Sequence, residues 1–150
     1  MTVVRGTATP GGPVVVGIDG PAVGDALMRS ACREANLRSG EVVAVHAWGI
    51  PLDLAPVAAT GFETAEAQAQ MAGQELLDKV AAAVSSDFPD VPVTGQLSDA
   101  SAAAAIVNAT HGAQLVIIGS QDLGPLRGLL AGSTTHAVIH HSACPVLIDR

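Results

Sequence analysis

The sequence predicts an α/β fold in which helices cover both faces of a parallel sheet. Three observations carry that prediction. Short apolar runs alternate with helix-period stretches along the chain, the pattern of strands joined by helical crossovers. Hydrophobic residues make up 49% of the chain but aromatics only 2%, so the core must be built from Val, Ile, Leu and Ala, the composition of a sheet buried on both sides. A length of 150 residues suits one such domain.

The elements follow in order. Val14 to Ile18 is an apolar run closed by Asp19-Gly20, a strand and its turn. Ala22 to Arg38 carries Ala26, Leu27, Ala31 and Ala35 at helical spacing, with Gly40 marking the stop. Val42 to Ala47 is a second buried strand. Trp48 to Thr60 contains Pro51 and Pro56 and no period, so it reads as a loop. From Glu63 to Val84 the chain is Ala- and Gln-rich with Leu76, Leu77 and Val80, a long helix stopped near Pro89. Its charges between Glu63 and Asp78 read as a solvated face. Val91 to Leu97 is a third strand, Ser101 to Thr110 a short helix, and Leu115 to Ile118 a fourth strand. A helix from Ser133 to about His141 and a strand from Pro145 to Ile148 close the chain. Crossovers of this kind are right-handed. Residues 1–12 read as a loose tail and residues 13–150 as the domain, with no internal repeat.

Charge and composition exclude several functions. The formal net charge is −7, which repels nucleic-acid phosphate and anionic lipid. With one Trp and no Tyr, the chain has almost no stacking platforms for RNA. Cys32 and Cys144 belong to no CxxC pair and read as packed, reduced thiols. No run reaches the length of a membrane span, and the N-terminus lacks the apolar stretch of a signal peptide. Together these place the chain in the cytoplasm. His136 and His140 stand four apart on a predicted helix, followed by His141, but no third ligand is evident and no metal site is expected. His46 lies in a strand run and reads as a satisfied, partly buried histidine. No G-x-S-x-G elbow and no paired carboxylates appear, so an enzyme is not expected, and a slow ATPase ranks last.

The stretch LVIIGSQDLGPLRGLLAGSTTHAVIH, from Leu115 to His140, carries the strongest functional signal. A buried strand ends at Gly119, a Gly-rich loop follows, and a helix opens at Gly132, Ser133, Thr134 and Thr135. Unpaired N–H groups and the positive end of a helix dipole there suit an anion such as phosphate. In open parallel sheets the ligand crevice lies beyond the carboxyl ends of the strands, where strand order reverses. Asp19 and Gly20 after the first predicted strand, and Gly119 onward after the fourth, then flank one crevice.

Four segments together resemble the universal stress protein family: VVVGIDG at Val14–Gly20, VVAVHAW at Val42–Trp48, AQLVIIGS at Ala113–Ser120 and AGSTTHAVIHHSACPVLI at Ala131–Ile148. The resemblance spans Val14 to Asp149. It implies a five-stranded parallel sheet of order 3-2-1-4-5, a Rossmann-like architecture of the adenine nucleotide alpha hydrolase kind. It also implies a stress-response regulatory role, and a homodimer formed through the last strand around Val146 and Ile148.

Nucleotide-binding members carry G-x2-G-x9-G-[S/T]. Laid on this chain, that motif gives Gly119, Asp122, Gly132 and Ser133, so a carboxylate replaces the middle glycine. Asp tolerates left-handed backbone better than most residues. Its charge is the obstacle: at about 5 Å from a phosphate charge it costs about 3 kcal/mol at an effective dielectric near 20. Gly124 offers flexibility two residues on, Arg127 offers a cation for the carboxylate or a phosphate, and Mg²⁺ between Asp122 and the phosphates offers a third escape. By the same resemblance Asp19 is the adenine-facing acid, Val45 directs its backbone at the adenine edge, and Ser133, Thr134 and Thr135 stand near the phosphates. Each residue has a plainer role: Asp19 capping the turn or first helix, Val45 in the core, Ser133 N-capping the last helix. Serines common in the family near Pro21 and Gly24 are absent. The expected ligand is ATP, with Mg²⁺ if bound. The alternative is a homodimeric interaction module of the same fold that binds no nucleotide.

Overall fold

The computed structural model of the protein describes residues 2–3, 6–49, 62–119 and 133–149. Its elements are β1 (Thr2–Val3), β2 (Val14–Gly17), α1 (Pro21–Leu37), β3 (Val42–Ala47), α2 (Phe62–Ser85), β4 (Val93–Ser98), α3 (Ala102–Ala109), β5 (Leu115–Gly119), α4 (Ser133–His141) and β6 (Val146–Asp149). The sheet order is β1-β6-β5-β2-β3-β4. The five strands β2 to β6 are parallel and realise the expected 3-2-1-4-5 order.

Local chemistry sets the boundaries. α1 opens on Pro21, whose missing N–H costs nothing in the first turn. Its N-cap is Gly20, which has no side chain to cap with. The third predicted strand starts two residues late, at Val93, because Pro92 has no N–H to donate; its carbonyl still accepts from Val42 N–H at 2.8 Å. α3 is capped by Ser101, whose Oγ accepts the Ala104 N–H at 3.3 Å. α4 begins at Ser133, and the residue before it lies outside the described residues.

Two apolar layers hold the helices to the sheet. On one face Val14, Val16 and Ile18 of the first strand and its turn meet Leu115 and Ile117, covered by Leu27, Met28 and Ala31 of α1 and Leu77, Val80 and Val84 of α2. On the other, Val15, Val45, Val116 and Ile118 pack against Ala105 and Ile106 of α3 and Val138 of α4. Successive strand residues point to opposite faces, so an uninterrupted apolar run fills both layers. A side chain such as Ile117, with no exposed surface, contributes about 1.5–3 kcal/mol by that burial.

The N-terminal segment differs from a loose tail. Thr7 N–H donates to Ala143 O at 3.0 Å and Thr9 N–H to Ala113 O at 3.1 Å, while Gln114 Nε2 donates to Gly12 O at 2.6 Å. Gly6 has φ +76°, and a Cβ there would lie 2.2 Å from Ala143 O, so only glycine fits so close to that backbone. Beyond Gly6, β1 lies antiparallel on β6, with Thr2 opposite Leu147 and Val3 opposite Val146. That is the edge on which a last-strand dimer was expected.

Candidate functional site

The carboxyl ends of β2, β3 and β5 open into a cavity of about 450 Å³. Gly17 to Pro21 form one wall, Val23 and Leu27 of α1 another, and Val45 to Ala47 a third. Ala102 and Ile106 of α3, Ile118 and Gly119 at the end of β5, and Ser133 to Thr135 of α4 complete it. The turn after β2 and the start of α4 therefore meet across one cleft, because β2 and β5 are neighbours where the strand order reverses. Of the residues singled out in the sequence, Asp19, Val45, Gly119, Ser133, Thr134 and Thr135 all line this cavity. Asp122, Gly124, Arg127 and Gly132 lie outside the described residues.

The walls are mostly apolar, with polar groups at two ends. At the α4 end, the first-turn N–H groups lack helical partners and carry the positive end of the helix dipole. The hydroxyls of Ser133, Thr134 and Thr135 stand beside them, that of Thr135 on a residue only 8% exposed. At the other end are the Asp19 carboxylate and the His46 ring. Among the described lining residues none is Lys or Arg.

At the β3 edge the Val45 carbonyl accepts the Ile18 N–H at 2.9 Å, so it is engaged in the sheet, and Val45 lines the cavity. Backbone groups alternate sides along a strand, so Ala47, two residues on, turns its N–H and C=O to the same side. The ladder would continue with Ala47 N–H donating to Ile18 O. His46 intervenes: its Nδ1 lies 2.8 Å from that carbonyl and donates to it in the neutral ring. The side chain thus takes the acceptor, and Ala47 lines the cavity with its backbone edge on the side where the ladder to β2 has ended. Sequence reasoning missed Ala47; the available signal was the two-residue alternation counted from the strand end.

Gly73 of α2 makes room for that histidine. A Cβ at Gly73 would sit 2.9 Å from His46 Cδ2 and 2.9 Å from Leu97 Cδ2. A glycine inside a helix costs about 1 kcal/mol relative to alanine, so its presence here fits the close approach of the ring. On that α2 side lies a second, shallower depression bordered by Trp48, Gly73 and Leu76, sharing Asp19, Gly20, Pro21 and His46 with the first.

Other candidates stay apart from the site. His136 and His140 stack on each other, ring centres 4.3 Å apart and tilted by 44°. Among the described residues no group of three His, Cys, Asp or Glu side chains could hold a metal ion. Both cysteines are buried and free, and burial pushes each thiol pKa above its ordinary range, more strongly than Arg29 near Cys32 or the Ser142 hydroxyl near Cys144 pulls it down. No described helix is long and apolar enough to cross a membrane.

Fold and cleft define a class of protein: a single doubly wound α/β unit with a small-molecule cavity at its strand-order reversal and a helix N-terminus in the wall. Sequence comparison narrows the class. The universal stress protein family matches residues 12–150, and the chain belongs to that family. Universal stress protein Rv2005c of Mycobacterium tuberculosis is 35% identical over 138 residues, which are 92% of this chain and 45% of that protein. The chain thus spans about half the length of the curated relatives it matches. Among solved structures, a universal stress protein from Archaeoglobus fulgidus in complex with dAMP superposes with a TM-score of 0.63 at 22% identity, covering 92% of this chain and 97% of that one. A universal stress protein in complex with cAMP gives a TM-score of 0.69 at 17% identity, covering 93% and 98%. At these identities the structures establish the shared fold.

Proposed function

We propose that this chain is a stress-response regulatory protein of the cytoplasm that binds an adenine nucleotide in the cavity at the ends of β2, β3 and β5. One observation carries the reading: a backbone edge at Ala47, the Asp19 carboxylate and the N-terminus of α4 surround one space. Its volume, about 450 Å³, falls in the range of small-molecule sites. A base seats against the Ala47 edge and the apolar floor of Ile106 and Ile118. Asp19 accepts from amino or sugar donors. Phosphate meets the α4 N–H groups and the hydroxyls of Ser133, Thr134 and Thr135. The dAMP and cAMP carried by two solved relatives support this chemistry.

Charge ranks the nucleotides. With one carboxylate and no Lys or Arg among the described lining residues, each added phosphate charge goes uncompensated there. Nucleotides with a single phosphate therefore bind better than free ATP, and ATP needs Mg²⁺. Asp19 is the kind of single oxygen ligand that Mg²⁺ accepts alongside phosphate oxygens. The same shortage of cations favours a second reading, in which the fold serves as an interaction module with no bound nucleotide. The role is regulatory in both readings, with no reaction assigned.

Calorimetry of the full chain with AMP, cAMP and ATP, each with and without Mg²⁺, tests the proposal. We expect binding of at least one adenine nucleotide, abolished by Ser133→Glu, which puts a carboxylate at the phosphate end. No binding to any of them, or binding that Ser133→Glu leaves intact, overturns the assignment.

A further inference from the structure

We propose that the outer edge of β4 is a docking strand for an extended basic peptide of a partner protein, which adds to the sheet as a further strand. The observation is the contrast between the two edges of the sheet. At one edge β1 lies on β6. At the other, no strand lies beyond β4 among the described residues. Hydrogen-bond parity shows what that edge presents. Val42 N–H donates to Pro92 O at 2.8 Å and Trp48 N–H to Ser98 O at 3.0 Å. Pro92 and Ser98 therefore turn their carbonyls to β3, and by alternation Thr94 and Gln96 turn their backbone groups the same way. Val93, Gly95 and Leu97 turn theirs outward, a row of N–H and C=O groups with no strand beside it.

Proteins commonly protect such an edge by shortness, a bulge, a proline or a charge within the strand. β4 uses none of these. It runs six residues in unbroken register with β3 and reads Val-Thr-Gly-Gln-Leu-Ser. Thr94, Gly95 and Gln96 at its centre are exposed. Leu77 of α2 backs the strand from one face, where a Cβ on Gly95 would come within 3.2 Å of its Cδ1, so the edge is held in place while it stays open. Charge selects the occupant. Asp90 stands just before the strand and Asp99 directly after it, both exposed and in neither of the described ion pairs. The strand between them spans about 20 Å. An extended segment with Lys or Arg near each end and neutral residues between meets both carboxylates while its backbone continues the ladder. A second copy of this chain is a poor occupant. Antiparallel self-pairing about Gly95 would bring the acidic ends together, between molecules of net charge −7. No β4 residue is among the described residues lining the cavity, so docking here does not rest on the nucleotide reading.

Titration of the full chain with three end-capped peptides, followed by amide NMR, tests this. The probe is Lys-Thr-Val-Thr-Val-Thr-Lys. One control replaces both lysines by Glu. The other is Lys-Pro-Pro-Pro-Pro-Pro-Lys, which keeps the charge and the extended form but has no N–H between its lysines. We expect the probe to bind saturably, to slow amide exchange at Val93, Gly95 and Leu97, and to bind about tenfold tighter than either control, since the ladder bonds and the end charges both contribute. In Asp90→Lys/Asp99→Lys, a change confined to exposed side chains, the preference between the Lys and Glu peptides reverses. A probe that does not saturate overturns the proposal. Equal binding of the proline peptide also overturns it, because attraction to an acidic protein then suffices without the edge. Protection at other amides, or a charge-reversed chain that still prefers the Lys peptide, places the contact elsewhere and refutes it. Slowing of the same three amides with protein concentration alone would assign the edge to a second copy instead.

Discussion

Replacing Gly73 by alanine tests whether His46 holds the cavity edge open. The added Cβ would lie 2.9 Å from both His46 Cδ2 and Leu97 Cδ2, against a carbon–carbon optimum of about 3.5–4.0 Å. Leu97 can turn a terminal methyl away. The ring is tethered by its 2.8 Å bond to Ile18 O, and a shift of about 0.6 Å takes that bond past normal length. Overpacking of this kind costs about 1–3 kcal/mol, offset by about 1 kcal/mol of helix propensity gained by alanine. The net loss is about 1 kcal/mol, a fall in Tm of about 2–4 °C for a chain of this size. With His46→Ala already present the ring is gone, and the same substitution should raise Tm. Thermal unfolding of the four proteins of this cycle gives a coupling of about 1–3 kcal/mol. If Gly73→Ala raises Tm equally in both backgrounds, the ring does not depend on the missing Cβ. Nucleotide titration reads the second consequence: once His46 moves, Ile18 O is available to Ala47 N–H, and affinity drops.

Two further predictions are independent of that pair. Asp122→Gly removes the carboxylate from the expected phosphate loop and should tighten ATP binding severalfold in calorimetry; unchanged affinity would place Asp122 away from the phosphates. The cysteines predict a pH dependence: burial raises both thiol pKa values in the native state, so the folded chain keeps protons that the unfolded chain gives up. Stability is then flat below about pH 8.5, the ordinary thiol pKa, and falls above it. Denaturant titrations at several pH values should show that slope vanish in Cys32→Ala/Cys144→Ala, and a slope that persists would assign it to other groups. A thiol reagent should label the native protein only as fast as it opens.

The fold was legible because each strand announces itself twice, by an apolar run and by the helix pattern on either side. Val14, Val15 and Val16 are buried on alternating faces as a doubly covered strand requires. The crevice was legible for the same reason, since βα alternation puts Asp19 and the α4 start at one end of the sheet. Less legible were the strand-end details. Val45 and Ala47 differ by one pleat repeat, and which of them leaves its backbone outside the ladder depends on where β2 stops pairing, a matter decided across strands.

The order of residues by itself determined the class of fold, the family, and the polar groups that a cleft would contain, because periodicity and local motifs are properties of neighbours along the chain. Only the tertiary structure decided that His46 takes the Ile18 carbonyl, that Gly73 on a distant helix admits its ring, and that β1 lies on the β6 edge. Those contacts join residues far apart in sequence. Their energy comes from competition for a shared backbone acceptor or a shared edge, which no local pattern records.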